Sequence, residues 1–271
     1  MTTTTVTTHQ TVRERTEARP QHAPIPFRTL FGVELRKAFD TRSGFWLMVT
    51  IAATGLIATG AVLAFGSDSD LTYDNFAGAI GVPMTILLPV VAILAVTGEW
   101  SQRAGLTTFT LVPHRSRVIR AKLAVTLAVG LASMALALGV GALGNVIGTG
   151  LMGVDTTWDL SFTAILYIVG ADLIGMVVGF MLGVLLRNSP GAIVAYFSYW
   201  FVLPTLTTLL ATNQHWFEKA QGWVDFSYNQ GRMYDGGFSG EEWLQLAATG
   251  AVWLVLPLAF GLWRVLRAEV K

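Results

Sequence analysis

Residues 162–186 read FTAILYIVGADLIGMVVGFMLGVLL. One carboxylate, Asp172, interrupts twenty-five residues that are otherwise apolar, small or hydroxyl-bearing. A hydrocarbon layer about 30 Å thick takes roughly 20 helical residues to cross, so this run is long enough to span a membrane. In lipid the backbone must satisfy its own N–H and C=O groups, and a lone run does that as a helix. Five further runs meet the same requirement, at about 45–65, 76–98, 123–152, 192–211 and 243–263. The one at 123–152 exceeds a straight crossing and is expected to tilt or to project past the membrane surface. The sequence therefore predicts an all-α integral membrane protein with six transmembrane helices.

Composition agrees with that reading. Of 271 residues, 53% are hydrophobic and 13% charged, about half the usual charge content and too little to coat a water-soluble surface. Disorder throughout, collagen and coiled coil are excluded by the same figures. There is no cysteine, which removes disulfides, thiolate nucleophiles and Cys-ligated metals.

The net charge of +1 says little until the charges are placed. Sixteen of the eighteen Lys and Arg residues fall in the tail before the first span, the second and fourth connections and the C-terminal end. Only Lys219 and Arg232 fall in the alternate connections. Because Lys and Arg resist translocation, the basic side is cytoplasmic and an even number of spans leaves both termini there. A soluble bundle of buried helices would not sort its charges by alternate loops.

Several segments are neither span nor short turn. Residues 1–26, Thr-rich and then Pro-rich, read as a disordered cytoplasmic tail, without the early apolar region of a signal peptide. Residues 27–40, FRTLFGVELRKAFD, place Phe27, Leu30, Phe31, Leu35 and Ala38 at helical spacing, with Arg28, Arg36 and Lys37 off that stripe. This fits an amphipathic helix on the inner membrane surface, hinged at Ser43-Gly44; a cytoplasmic extension of the first span is the alternative. The connection 99–121 is too charged for membrane and too long for a turn. Its centre, Leu106 to Val112, forms a short amphipathic element suited equally to a groove on a soluble partner or to the lipid surface. The outer segment 212–242 carries Trp216, Phe217, Trp223, Phe226, Tyr228, Tyr234 and Phe238. These rings predict short interfacial or partly re-entrant helices, then a glycine-rich turn, with an aromatic belt as the ordinary explanation.

Ala171, Gly175, Gly179 and Gly183 put a small residue at every fourth position of the 162–186 span, allowing another helix close along one face. Asp172, inside that span, must be neutral, paired or next to water, since exposure to lipid costs several kcal/mol. It is either a pathway or proton site in a cavity or a structural partner, with Asn145 as a conceivable mate. Pro83, Pro89 and Pro204 each remove a helical hydrogen bond and can bend their spans. No GxxxxGK[ST] loop, HExxH, GxSxG or strand-linked GxGxxG is present, so the chain has no recognisable means of its own to bind nucleotide or to hydrolyse anything. His9, His22, His114 and His215 lack metal-ligand spacing, no metal site is expected, and the basic residues are explained by orientation rather than by nucleic acid.

The order of features, a surface helix, a cytoplasmic element between the second and third spans, and an elaborated outer segment before the sixth, resembles the permease subunit of type-two ATP-binding-cassette exporters. The resemblance covers residues 27–271. It rests on GEWSQRAGLTTFTLVPHRSRVIRAKL at 98–123, similar to the family's pattern of a Glu, a Gly-Thr-like turn and a Pro-x-x-Arg before a Lys, here Pro113-His114-Arg115, and on GFMLGVLLRNSPGAIV at 179–194. Gly105-Leu106 stands where the family often has Gly-Thr. The resemblance implies a bacterial cytoplasmic (inner) membrane protein that pairs with a second permease copy, identical or paralogous, above two separate ATPase subunits that bind ATP and Mg. It implies a coupling helix at Gly105, Leu106, Thr107, Thr108, Phe109 and on to Pro113, with Arg103, Arg115 and Arg117 as polar contacts to the ATPase. Export of a hydrophobic or amphipathic substrate through the dimer follows, with no catalysis by this chain. An ATP-independent six-span scaffold or immunity-type protein is the competing expectation.

Overall fold

A computed structural model describes residues 25–40, 42–101 and 115–267. Nine helices organise them: α1 (Phe27–Asp40), α2 (Arg42–Phe65), α3 (Tyr73–Ser101), α4 (Arg115–Met152), α5 (Phe162–Leu186), α6 (Ser189–Asn213), α7 (His215–Val224), α8 (Phe226–Arg232) and α9 (Gly240–Arg267). There is no strand among the described residues; the loops before α3 and after α4 touch in a single bridge, Thr72 to Thr157. Five helices are long and apolar enough to cross a membrane: α3 through Tyr73–Gly98, α4 through Ser116–Met152, and α5, α6 and α9. The expected first span lies inside α2, where the apolar stretch Val49–Phe65 is shorter than those five. The described residues thus form a helical, membrane-embedded, multi-pass protein.

Helix ends depart from the sequence expectation for local reasons. Helix α1 ends at Asp40 and α2 begins at Arg42, so Ser43-Gly44, expected to be a joint, lies within α2. Helix α4 starts at Arg115, so residues 115–121 of the expected coupling region are its first turns. Helix α5 starts where Ser161 accepts the Ala164 N–H and ends where Arg187 turns left-handed (φ 52°) and donates its N–H to Gly183 O. Asn188 then accepts the Gly191 N–H and caps α6, so two residues suffice to reverse the chain. In α6 and α9 a π-helical turn, Ser198–Val202 and Ala251–Val255, precedes Pro204 and Pro257. Leu203 and Leu256 donate to carbonyls five residues back, Ser198 O and Ala251 O, which widens the helix just where a proline ring would crowd the preceding turn.

At the centre, α3 and α5 form the most extensive helix pair. The small-residue stripe of α5 makes that approach close. A Cβ on Gly179 would stand 2.6 Å from Pro89 O, and one on Gly183 3.3 Å from Val96 Cβ. Met84, Leu88, Ile93, Met176, Phe180 and Val184 fill the seam, all nearly sealed from solvent and lipid. On α4, Gly141 and Gly144 lie against Ala77 and Thr59 in the same manner, bringing α3 and α2 close.

Candidate functional site

Polar groups cluster where residues 215–242 fold back onto the long helices. Asp225 ends α7 and caps α8, its Oδ1 accepting the Tyr228 N–H at 3.0 Å and the Ser227 hydroxyl at 2.7 Å. That cap aims α8 so that Asn229 and Gln230, both fully buried, point inward. Asn229 Nδ2 donates to Gly222 O and Thr249 Oγ1, tying α7, α8 and α9 together. Gln230 Nε2 donates to Ala171 O on α5 at 2.8 Å, and its Oε1 accepts from the Tyr199 hydroxyl of α6 at 2.6 Å. The room for this comes from Gly175: a Cβ there would lie 3.1 Å from Gln230 Nε2. One turn further on, the Tyr234 hydroxyl donates to Asp172 Oδ1 at 2.8 Å. Burial, with the Asp172 carboxyl beside it, holds that hydroxyl well above the usual tyrosine range, so it stays protonated and remains a donor. Tyr196 of α6 completes the cluster by donating to Thr85 O on α3, a carbonyl between Pro83 and Pro89 of that helix.

Beside this cluster, between α3, α4 and α5, lies a cavity of about 40 Å³ lined by Gly81, Met84, Met134, Ala137, Ile165 and Asp172, among others. Asp172, only 3% exposed, is the one residue with a charged side chain in that lining; the rest are apolar or glycine.

The contact between α1 and α4 holds a different arrangement. On α1 the buried line is Leu30 and Glu34, one helical turn apart. Glu34 Oε2 meets Lys122 Nζ of α4 at 2.5 Å and Oε1 meets Lys37 at 2.8 Å; Glu34 and Lys122 are each 7% exposed. A buried carboxylate is tolerated here because both its oxygens are matched by ammonium groups. Helix α1 is thereby fixed to the first turns of α4, shortly after the connection that leaves α3.

The residues singled out in the sequence distribute as follows. Ala171, Gly175, Gly179 and Gly183 are all buried and Gly175, Gly179 and Gly183 face α3 or the outer cluster. Asp172 is held by Tyr234, not by Asn145. Asn145 donates to Thr157 O at 2.8 Å and ties the C-terminal part of α4 to the loop that also receives the Tyr73 N–H. Arg117 is half-buried in the first turn of α4, and Arg115 begins that helix. Arg103, Gly105, Leu106, Thr107, Thr108, Phe109 and Pro113, together with residues 1–24, lie outside the described residues. Among the described residues no three His, Asp or Glu side chains gather in a way that could hold a metal ion. Glu34, Lys122, Gln230 and Tyr234 emerge only from the structure. Glu34 did carry a signal, an acid on the apolar stripe of an amphipathic helix.

No family model matches the chain, and no curated protein matches it.

Proposed function

We propose that this chain is the permease subunit of a type-two ATP-binding-cassette exporter, with six spans, both termini in the cytoplasm and its place in a bacterial cytoplasmic membrane. Two copies form the substrate pathway, and separate ATPase subunits, which carry the ATP and Mg, drive it to export a hydrophobic or amphipathic substrate. The observation that supports this reading best is the buried Glu34–Lys122 pair. A protein that takes motion from a cytoplasmic partner needs the foot of its spans to move as a unit with the element that meets that partner. Here the α3–α4 connection runs straight into a helix clamped to α1 by charges that are costly to separate. The outer segment, packed on α5 and α6 through Gln230 and Tyr234, gives the opposite end a rigid closure. Helix α6, the least buried of the five long apolar helices, leaves Val194, Phe201 and Leu206 exposed to lipid or to the second copy.

The test is recovery of the tagged chain from its native membrane with ATP hydrolysis assayed in the eluate. Vanadate-sensitive hydrolysis is expected with the natural chain. It is expected to vanish in Leu106→Asp and Phe109→Asp while the permease itself remains folded. Equal recovery of hydrolysis with both variants would remove the coupling role from residues 105–113.

A further inference from the structure

We infer that the cavity between α3, α4 and α5 is a binding site for the amine end of a lipophilic amine, with Asp172 as its polar anchor. The cavity holds about 40 Å³. At ~10–15 Å³ per water-sized group, that admits roughly three groups of that size, the nitrogen and first carbons of an alkylamine. Its walls suit such a chain. Gly81 leaves open space where any other residue would project a side chain, and the thioethers of Met84 and Met134 adapt to the shape of an apolar guest.

The anchor is half occupied. Tyr234 holds Asp172 Oδ1 from the outer side, and no hydrogen bond reaches Oδ2 among the described residues. Nor is Oδ2 sealed in protein: the unpartnered, fully enclosed side-chain oxygens among the described residues are those of Asn145 and Asn229. A carboxyl oxygen without a protein donor, on a residue that lines an apolar chamber, selects a ligand with an N–H donor or a positive charge, because any other guest leaves it unsatisfied. Depth selects further. Asp172 sits ten residues into α5, about 15 Å from its outer end at 1.5 Å per residue, near the middle of a bilayer. Headgroups of bilayer lipids stay at the surface, so the occupant is a free amphiphile with a small amine head, its tail leaving past Gly81, Ala137 and Ile165, which are half-buried at the cavity wall. Binding of this kind requires no ATPase and stands whether or not the chain is a permease.

The experiment is calorimetric titration of octylammonium into the full chain in detergent micelles, with titration into empty micelles subtracted and 1-octanol as the neutral comparison. Saturable binding of octylammonium and none of octanol is expected. Asp172→Asn, whose amide oxygen can still accept from Tyr234, should weaken octylammonium at least tenfold. Gly81→Leu should do the same by putting a side chain at the cavity lining while leaving the carboxyl in the protein, so the test survives if Asp172→Asn fails to fold. Saturable octanol binding of equal strength, or an octylammonium affinity unchanged in either folded variant, overturns the inference.

Discussion

Removing one member of the Glu34–Lys122 pair is the most informative single perturbation of the α1–α4 contact. Glu34→Gln takes away the carboxylate that meets Lys122 at 2.5 Å, in a place where both side chains are only 8% exposed. Breaking a pair so buried costs about 3–5 kcal/mol. Lys122→Met is expected at the lower end, about 3 kcal/mol, because Glu34 keeps Lys37 at 2.8 Å while that lysine, 44% exposed, is screened by water. The double variant Glu34→Gln/Lys122→Met removes the attraction and the stranded charge together. It should be more stable than the sum of the two losses, with a coupling of about 2 kcal/mol. The assay is unfolding of all four proteins in micelles, by heat or by graded SDS, at low and high salt. A buried pair keeps its coupling in salt, whereas a solvent-exposed one loses it. A coupling below about 0.5 kcal/mol, or one abolished by salt, would refute the claim that α1 is clamped to α4 by these charges.

Tyr234→Phe should cost about 1–3 kcal/mol, since it withdraws a donor from a buried carboxyl, and Asp172→Asn should cost clearly less by keeping an acceptor for the same hydroxyl; unfolding in micelles separates the two. Gly179→Leu should destabilise by about 1–3 kcal/mol or more, because its Cβ meets the backbone oxygen of Pro89, while Gly81→Leu, with open space around it, should be near neutral. Equal losses at the two glycines would contradict the packing described for α3 and α5. Asp159 serves the first turn of α3 from a distance, its Oδ1 accepting the Asp74 N–H at 2.8 Å. Burial pulls this carboxyl up, but hydrogen bonds from the Asp74 N–H and the Thr72 hydroxyl outweigh that and hold it below its ordinary range. Its contribution is therefore present above about pH 4 and lost as the pH falls through the lowered value. Asp159→Ala should cost about 1 kcal/mol at neutral pH and speed hydrogen exchange at Asp74; acid should narrow the difference between variant and natural chain.

Much of the membrane architecture was legible because lipid imposes a length and a polarity that a run of residues either has or lacks. The 162–186 span was readable to the residue, since Ser161 and Arg187-Asn188 are both polar and cap-forming. The small-residue stripe gave the close face of α5 but not its partner, because a helix period carries no information about which other helix comes near. Asp172 announced itself as an isolated acid. Its mate is 62 residues away in a segment that sequence reading places at the interface, and only the turn after α8 brings Tyr234 down to it. Asn145 looked like a candidate because it shares the membrane setting, yet Thr157 in the adjoining loop already claims its amide. Glu34 passed unnoticed since a charge on a surface helix is ordinarily solvated, and the lysine that buries it lies 88 residues further on. The π-helical turns before Pro204 and Pro257 were likewise hidden, because a proline in a span says that the helix must adjust without saying how.

The absence of cysteine from the natural sequence permits a direct test of what the α3–α4 connection touches. A single Phe109→Cys chain, carrying a thiol-linked photo-crosslinker and irradiated in its native membrane, should join to a polypeptide that bears a GxxxxGK[ST] nucleotide loop, with Leu106→Asp in the same chain abolishing the product. Crosslinks to lipid alone, in a chain that still moves its cargo, would contradict an ATPase seated at that connection.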